Sequence, residues 1–204
     1  MSRAEPRLEA DALRAALRGR IIGREVLVLD ETTSTNDFVF GTATPQTPEG
    51  LVVFAERQTA GRGQHGKRWE SVAAKGLWFS VLLRPKILPE ESPRLTTWAA
   101  STIAGTINDQ FSLGATVKPP NDVYAGARKV AGVLLEMRAV PHAPHLGILG
   151  VGVNVNHAAE DFPDELRKRA GSIALALGHN VDRLQFARAL LRNLDRTYRE
   201  TFAS

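Results

Sequence analysis

The sequence predicts an α+β fold, a mixed, largely antiparallel β-sheet flanked by helices. Apolar segments of strand length follow one another with short turns between them, and helical periodicity lies mainly before and after these segments. Strands joined by short turns pair antiparallel to their neighbours, and helices must bury their apolar faces against the sheet. We find no regular alternation of strand and helix.

The first half of the chain predicts one helix, three strands and a polar corner. Leucines at near-helical spacing in residues 8–18 predict an amphipathic helix. Apolar residues 25–29, 51–55 and 77–83 predict strands, the last two of the buried type. Residues 33–37 are rich in N-cap residues and precede an apolar run, which predicts a strand-to-helix corner. Polar side chains are therefore expected beside free backbone donors at this corner.

The second half predicts a core helix, a meander of strands and a helical tail. Residues 96–111 place apolar and threonine side chains on one helical face. Strands are predicted at residues 123–124, 130–137 and 146–155, with turns at residues 125–126 and 141–144. Residues 164–202 are predicted to be helical, with an apolar stripe formed by Leu184, Ala187, Leu191, Leu194 and Tyr198.

Length and composition indicate a single domain, residues 1–204. With 204 residues, 43% of them apolar, the chain can bury one substantial core. Its long apolar stretches, residues 130–135 and 146–155, contain glycine and are far shorter than the roughly 20 residues of a membrane helix. The start of the chain shows no apolar leader, and the absence of cysteine excludes disulfides and thiolate metal sites. We expect a cytoplasmic protein with no membrane contact.

The formal net charge of +4 has two explanations. It indicates either an anionic partner, such as a nucleic acid, a nucleotide or an acidic protein, or a mildly basic solvated surface. Arginines cluster at residues 14–24 and 62–68, and only the second cluster is interleaved with glycine. Composition alone leaves both explanations open.

Residues 61–68, GRGQHGKR, match two phosphate-binding patterns without their context. They match G-x-G-x-x-G and the first part of a P-loop, but Arg68 stands where a P-loop needs serine or threonine. Both patterns also require a helix to open at the loop, whereas a strand follows here. What remains is a glycine-rich cationic loop closed by Trp69, which suits an acyl phosphate or a nucleotide. The alternative is a mobile surface hairpin.

Three further segments are candidates for a binding site. In residues 118–122, KPPND, two prolines predict a rigid, extended approach that presents the polar pair, although ordinary turn chemistry also explains this segment. Lys129 begins an apolar strand, so its amine either reaches solvent or meets an anion. In residues 150–156 alternating glycines clear one sheet face, which would admit either a flat ligand beside Asn154 or a packed helix.

Together these segments resemble the catalytic domain of biotin protein ligases, enzymes that attach biotin to a lysine of a carboxylase. The matching stretches, residues 33–36, 55–69, 117–132 and 150–154, occur in the family's order. The intervening lengths also fit, so the resemblance covers essentially the whole chain. The resemblance implies the fold of biotin and lipoate ligases, which is similar to class II synthetases. It also implies two steps, in which biotin and Mg-ATP give biotinyl-adenylate and pyrophosphate, and the acceptor lysine then takes biotin and releases AMP.

The resemblance implies roles for individual residues. Lys129 and Arg62 are the expected catalytic residues, since a carboxylate and a triphosphate repel unless cations surround them. The biotin site is expected to comprise Ser34, Thr35, Asn36, Gln58, Arg62, Gly63, Gln64, Lys129 and Gly132. The ATP and adenylate site is expected to comprise Gln64, His65, Gly66, Lys67, Trp69, Lys118, Asn121, Asp122, Lys129 and Asn154. No resident metal is expected, because Mg²⁺ would arrive with ATP, aided by Asp122. The loop would close over the adenylate and exclude water.

The chain also departs from the family pattern. Gln64 stands where relatives often have arginine, so we expect weaker retention of the adenylate, and Pro119 replaces a usual tryptophan. We expect neither the N-terminal winged helix of bifunctional members nor their small C-terminal β-domain, and hence no specific DNA binding. The expected partner is a biotin carboxyl-carrier protein or domain, whose acidic surface would match the basic chain. Homodimerisation is left open.

Two other functions remain open on the sequence. A lipoate ligase or octanoyl transferase resembles the same fold and shares a lysine near the acyl group, but it predicts an elongated apolar tunnel. The polar residues that favour biotin's ureido ring instead are Ser34, Thr35, Asn36 and Gln58. A nucleic-acid-binding module would use the basic loop against phosphates, but few aromatic residues accompany the basic ones.

Overall fold

The computed structural model describes residues 6–138 and 145–203, which form one sheet with helices on both faces. The strands are β1 (Glu25–Thr32), β2 (Leu51–Gln58), β3 (Gly76–Leu83), β4 (Thr116–Lys118), β5 (Asp122–Ala125), β6 (Arg128–Arg138) and β7 (Leu146–Asn154). Their order in the sheet is β1-β2-β3-β7-β6-β5-β4. β1 and β2 are parallel, and the other neighbouring pairs are antiparallel. The predicted mixed, largely antiparallel sheet is confirmed.

The helices divide between the two faces of this sheet. They are α1 (Ala10–Ala16), α2 (Thr35–Thr42), α3 (Ser92–Phe111), α4 (Ile173–Leu177) and α5 (Arg183–Phe202). α1, α3 and α5 bury Leu13, Ile103 and Leu190 in the main core on one face. On the other face α2 buries Val39 in a smaller cluster with Val53 and Ile148. None of the helices in the described ranges is long and apolar enough to cross a membrane.

The predicted polar corner marks the start of α2. The Ser34 side chain accepts a hydrogen bond from the Asp37 backbone N–H at 3.4 Å, which satisfies one of the amide donors at the helix N-terminus. Ser34, Thr35 and Asn36 are all buried there. The cap therefore fixes three polar side chains against the sheet.

The three central strands align on the face that α2 partly covers, which we call the pocket face. In β7, Gly150 pairs with Ser80 of β3 and Leu134 of β6, and Gly152 pairs with Trp78 and Gly132 in the same way. Because side chains alternate along a strand, these positions share one side of the sheet. All eight positions of β3 are buried, as expected for a strand that is covered on both faces.

The structure corrects three details of the prediction. Strand β4 was not predicted, and the prolines of residues 118–122 do not make an extended approach. They form a turn with a cis Pro119–Pro120 peptide bond, because Lys118 pairs with Asp122 across the β4–β5 hairpin. The helical tail is interrupted, since Gly178 ends α4 in the left-handed conformation with a φ of 81°. The turn predicted at residues 141–144 lies outside the described residues.

Asp195 of α5 connects the N-terminal part of the chain to the core. Its fully buried carboxylate accepts hydrogen bonds from the backbone N–H groups of Ile21 at 2.7 Å and Ile22 at 3.0 Å, and from the Arg20 guanidinium at 3.2 Å. This single side chain thus satisfies three donors that lie more than 170 residues earlier in the sequence.

We expect Asp195→Ala to lower the free energy of unfolding by about 2–4 kcal/mol, because it leaves these donors without an acceptor. Urea denaturation followed by circular dichroism measures the change. Glu200→Ala is the matched control, since Glu200 is exposed and, among residues 6–138 and 145–203, pairs only with Arg196 on the same helix. This change should alter stability by less than about 0.5 kcal/mol. Equal stabilities of the two variants would contradict this assignment.

Candidate active site

A pocket lies on the pocket face of the sheet, between the start of α2 and the loop that follows β2. The structure brings all nine residues of the expected biotin site to its lining, together with two further residues of the expected ATP site, which shares Gln64 and Lys129 with the biotin site. These residues are Ser34, Thr35, Asn36, Gln58, Arg62, Gly63, Gln64, Trp69, Asn121, Lys129 and Gly132. Four segments that are far apart in the sequence therefore form one site.

Glycines form the floor of this pocket. A Cβ atom added to Gly150 would lie 2.5 Å from Asn36 Oδ1, and one added to Gly152 would lie 2.5 Å from the Trp69 ring. A Cβ at Gly132 would lie 2.9 Å from the same ring. The space above Gly150 is thus occupied by Asn36 of α2, and the space above Gly132 and Gly152 by the flat ring of Trp69.

One end of the pocket is polar and uncharged. Gln58 Oε1 accepts hydrogen bonds from the backbone N–H of Thr35 at 2.8 Å and from its hydroxyl at 3.1 Å. The Ser80 hydroxyl lies 2.7 Å from Thr35 Oγ1 and donates to Asn36 Oδ1 at 2.5 Å. Gln58 Nε2 donates to Ser71 Oγ at 3.3 Å. This network holds amide and hydroxyl groups in fixed positions beside the floor.

The other end of the pocket is cationic and centres on Lys129. Its Nζ lies 2.6 Å from Asp122 Oδ1 and 5.2 Å from the centre of the Trp69 ring. The backbone of Lys129 exchanges hydrogen bonds with Arg169 O and Gly171 N, which fixes the start of β6. The predicted alternatives for this lysine are resolved, since it meets an anion at the pocket rather than open solvent.

The two ends lie a short distance apart along β7. Gly150 adjoins the polar end through Asn36, and Gly152 adjoins the cationic end through Trp69. Two residues of an extended strand span about 7 Å. The pocket therefore suits a small molecule with a neutral hydrogen-bonding head and an anionic group one short chain away.

Arg62 anchors the loop over this pocket. Two of its guanidinium nitrogens donate to the two carboxylate oxygens of Asp37 at 2.6 Å each, and one lies 3.4 Å from Glu136 Oε1. The hydrogen bonds and the charge of Arg62 lower the pKa of the Asp37 carboxyl below its ordinary value, and the hydrogen bonds and the charge of Asp37 raise the pKa of Arg62. A bidentate pair of this kind fixes the direction of the guanidinium plane.

Six expected nucleotide residues lie outside the pocket lining, and one of them, Asp122, contacts the lining residue Lys129. His65, Gly66 and Lys67 form the exposed tip of the loop, and Lys118 is exposed beside Tyr124. Asn154 is buried, and its amide donates to Gly171 O at 2.9 Å. The latter contact supports the segment that fixes the Lys129 backbone.

Sequence reasoning missed Ser80, Glu136 and Asp37. Ser80 is the one hydroxyl in an otherwise apolar strand, and Glu136 lies at even spacing from Gly132, which places it on the pocket face. The sequence therefore contains a signal for Ser80 and one for Glu136. It does not indicate which residues these side chains contact, because each contact depends on the pairing of segments that are distant along the chain.

Comparison with known proteins agrees with this fold. The model of the Biotin/lipoate A/B protein ligase family matches residues 28–154. This match covers more than half of the chain, and the chain belongs to that family.

Individual relatives are biotin ligases by name. The chain is 34% identical over 194 residues to the bifunctional ligase/repressor BirA of Bacillus spizizenii, covering 95% of this chain and 60% of the relative's length. It is 34% identical over 203 residues to the biotin (acetyl-CoA-carboxylase) ligase of Mycobacterium tuberculosis, covering 95% of this chain and 71% of that protein. The Aquifex aeolicus biotin protein ligase, solved in complex with biotin and ATP, superposes with a TM-score of 0.74 at 29% identity, over 86% of this chain and 72% of that chain.

His157 lies behind the pocket, where its ring packs at 5.6 Å from Trp78 and stacks on Phe162 at 5.1 Å. It is only 2% exposed, and its Nδ1 has no hydrogen-bond partner in the part of the chain that the structure describes. Burial lowers the pKa of His157 from 6.5 to about 4. The imidazole is therefore neutral in the folded protein at physiological pH.

We expect His157 to make stability depend on pH between its unfolded pKa of 6.5 and its folded pKa of about 4. In this window the unfolded chain binds the proton more tightly, so the free energy of unfolding falls as the pH falls, by on the order of 3 kcal/mol from this residue. Urea denaturation from pH 4 to 8 should show a shallower dependence in His157→Phe. The same change at exposed His179 should leave the dependence unaltered, and identical curves for all three proteins would contradict the assignment.

Proposed function

We propose that the chain activates biotin with ATP to biotinyl-5′-AMP and transfers biotin to a specific lysine of a biotin-carrier domain of a carboxylase. The observation that carries this proposal is that one pocket combines an end lined by uncharged polar side chains, a cationic end and a glycine floor. Biotin has the matching polarity, since its ureido ring is neutral and hydrogen-bonding and its carboxylate is anionic. The named activities of the relatives support the same choice.

The polar end is assigned to the ureido ring. Thr35, Asn36 and Gln58 offer it both donors and acceptors, and the hydrogen bonds among these residues leave little freedom for their side chains. A lipoyl or octanoyl chain has no group that would satisfy these polar atoms. Buried polar groups left unpaired cost binding free energy, so the site should reject the apolar acids.

Lys129 is assigned to the reacting groups. In the first step a carboxylate oxygen of biotin attacks the α-phosphorus of ATP, the bond to the bridging oxygen breaks, and pyrophosphate leaves. Negative charges converge in this step, and the Lys129 ammonium would stabilise them while it turns from Asp122. In the second step the neutral amine of the acceptor lysine attacks the carbonyl carbon, AMP leaves, and the amine loses a proton.

The nucleotide is assigned to the side of the pocket formed by Trp69, Asn121 and Asp122, with Gln64 in the loop above it. His65, Gly66, Lys67 and Lys118 remain predicted phosphate contacts from exposed positions. Asn154 is assigned a supporting position beneath residues 169–171. The role of Arg62 as a catalytic cation stays a prediction, and its pairing with Asp37 favours a role in holding the loop.

The residues present fit a magnesium ion that arrives with ATP. Asp122 provides one carboxylate beside Lys129, and the described residues contain no cluster of three metal-binding side chains. Mg²⁺ commonly keeps phosphate oxygens and water as most of its ligands. When bound, the ion would neutralise phosphate charge, and Asp122 is the side chain proposed to hold it.

The partner is proposed to be a biotin carboxyl-carrier protein or domain in the cytoplasm. The net charge of +4 supports attraction to an acidic carrier surface. The expectation of no specific DNA binding stays a prediction, and homodimerisation stays open.

We expect biotin-dependent exchange of labelled pyrophosphate into ATP, and no exchange with lipoate. Lys129→Ala should reduce this exchange at least about a thousandfold, because an amine placed at the reacting charges is lost, while circular dichroism stays unchanged. Lys86→Ala is the control, since Lys86 is exposed and lies outside the pocket lining. Exchange with lipoate and not biotin would overturn the proposal. Wild-type exchange in Lys129→Ala would remove this lysine from catalysis.

We further expect Gln64 to let some adenylate escape. Gln64 lines the pocket from the loop and carries no charge, whereas the family pattern often has arginine, which could pair with phosphate. Gln64→Arg should therefore lower the free biotinyl-adenylate released per turnover by about tenfold, the effect of one charge-assisted hydrogen bond. Chromatography of the quenched reaction measures the release. Gln64→Met controls for side-chain size and should not lower it.

A further inference from the structure

Glu136 is an acidic side chain on the pocket face that no sequence motif explains. It lies on β6 in register with Ile148, two positions after Leu134 of the pocket floor. Its carboxylate accepts a hydrogen bond from Asn36 Nδ2 at 2.6 Å, and both its oxygens lie within 3.5 Å of an Arg62 nitrogen. The side chain is 32% exposed and lies outside the pocket lining, where Asn36 and Arg62 hold it.

We propose that Glu136 is a positioning residue of this site, which sets the orientation of the Asn36 amide and anchors the loop through Arg62. The inference rests on the proposed function for its ligand, biotin. Glu136 itself contacts neither the reacting atoms nor the nucleotide. It acts through two residues that line the pocket.

The first part of the argument concerns the amide of Asn36. An ionised carboxylate can only accept hydrogen bonds, and an amide nitrogen can only donate them. Rotation of the amide by 180° would bring Oδ1 against the carboxylate of Glu136 and replace an attraction with a repulsion. The Ser80 hydroxyl on the other side can donate or accept, so it adapts to either orientation. Glu136 is therefore the group that determines which atoms Asn36 offers to a ligand.

The second part concerns Arg62 and the loop. Asp37 belongs to α2 and Glu136 belongs to β6, so the guanidinium connects the loop to a helix and to the sheet at once. Asp37 takes two donors in a bidentate pair, and Glu136 faces one of the same nitrogens. Without Glu136, Arg62 could still pair with Asp37. The loop would then be connected only to the first turn of α2 at this point and no longer to the sheet.

Glu136 thus supports both the wall of the pocket, through Asn36, and its roof, through Arg62. A loss of its charge should weaken biotin binding through Asn36 and loosen the loop through Arg62. The first effect is measured by biotin affinity and the second by amide hydrogen exchange of the loop, so each part of the argument can be tested separately.

The first test is a double-mutant cycle in biotin affinity by titration calorimetry. Glu136→Gln keeps the side-chain volume and should raise the biotin dissociation constant about tenfold, the effect of one charged hydrogen bond. Glu136→Met, which keeps no acceptor, should raise it further. In an Asn36→Ala background Glu136→Gln should change the constant less than about twofold, because the group it orients is gone. A tenfold effect that persists in this background would overturn the assignment.

The second test measures amide hydrogen exchange of residues 59–69 in the protein without biotin. Glu136→Gln should raise exchange in this segment several-fold and leave the main core unchanged. Glu200→Gln is the matched control, because Glu200 also faces an arginine at 3.3 Å but lies on α5. Unchanged exchange in Glu136→Gln and Glu136→Met would overturn the loop branch.

The two tests separate this inference from the proposed function. A wild-type protein that does not bind biotin contradicts the proposed function, and the exchange measurement then decides alone whether Glu136 positions the loop. A protein that binds biotin equally well with and without the Glu136 charge contradicts the positioning of Asn36 and leaves the proposed function intact.

Discussion

Side chains on neighbouring strands normally fill the sheet face that they share, and the pocket exists because three positions on β6 and β7 carry none. At Gly132, Gly150 and Gly152 an added Cβ would collide with Asn36 or Trp69. The opposite face holds the main core and offers no space. Because the glycines have no side chains, α2 and the loop can approach the sheet closely. The wall formed by α2 and the roof formed by the loop therefore both depend on the glycine floor. A larger residue would displace Asn36 at Gly150, Trp69 at Gly152, and both Trp69 and Lys129 at Gly132.

Charge pairing is the second constraint on the site. Lys129 has Asp122 within 2.6 Å, and Arg62 lies between Asp37 and Glu136. A partly buried cation without a partner loses hydration that nothing replaces. The ion pairs with these carboxylates offset the lost hydration of the two cations in the pocket. An anionic ligand would have to compete with the carboxylates for the same cations. Among the described residues, Lys129 is paired with one carboxylate and Arg62 with two. This difference supports the proposal that Lys129 takes part in the chemistry and that Arg62 holds the loop.

Most of this site could be predicted because its parts are local in sequence. The capped corner at Ser34, the loop up to Trp69 and the strand that begins at Lys129 each have a recognisable local pattern, and all reach the pocket. The contacts that could not be predicted depend on the register of the strands and on residues that are far apart in the sequence. Glu136 meets Asn36 across 100 residues, and no local pattern specifies that pairing. The pairing of Lys118 with Asp122 likewise depends on the β4–β5 hairpin, and the sequence left its turn as one of two explanations for the proline segment.

The loop over the pocket is held at its two ends by different physics. At its start Arg62 is bound by ion pairs, which salt and pH weaken. At its end the Trp69 ring packs on glycines and against Trp78 at 6.1 Å, and such packing is insensitive to salt. Between them His65 and Gly66 adopt left-handed conformations at the exposed tip. The part of the loop near Arg62 can therefore move while Trp69 stays packed on the glycines. A ligand could then enter past Arg62 without exposing the pocket floor beneath Trp69.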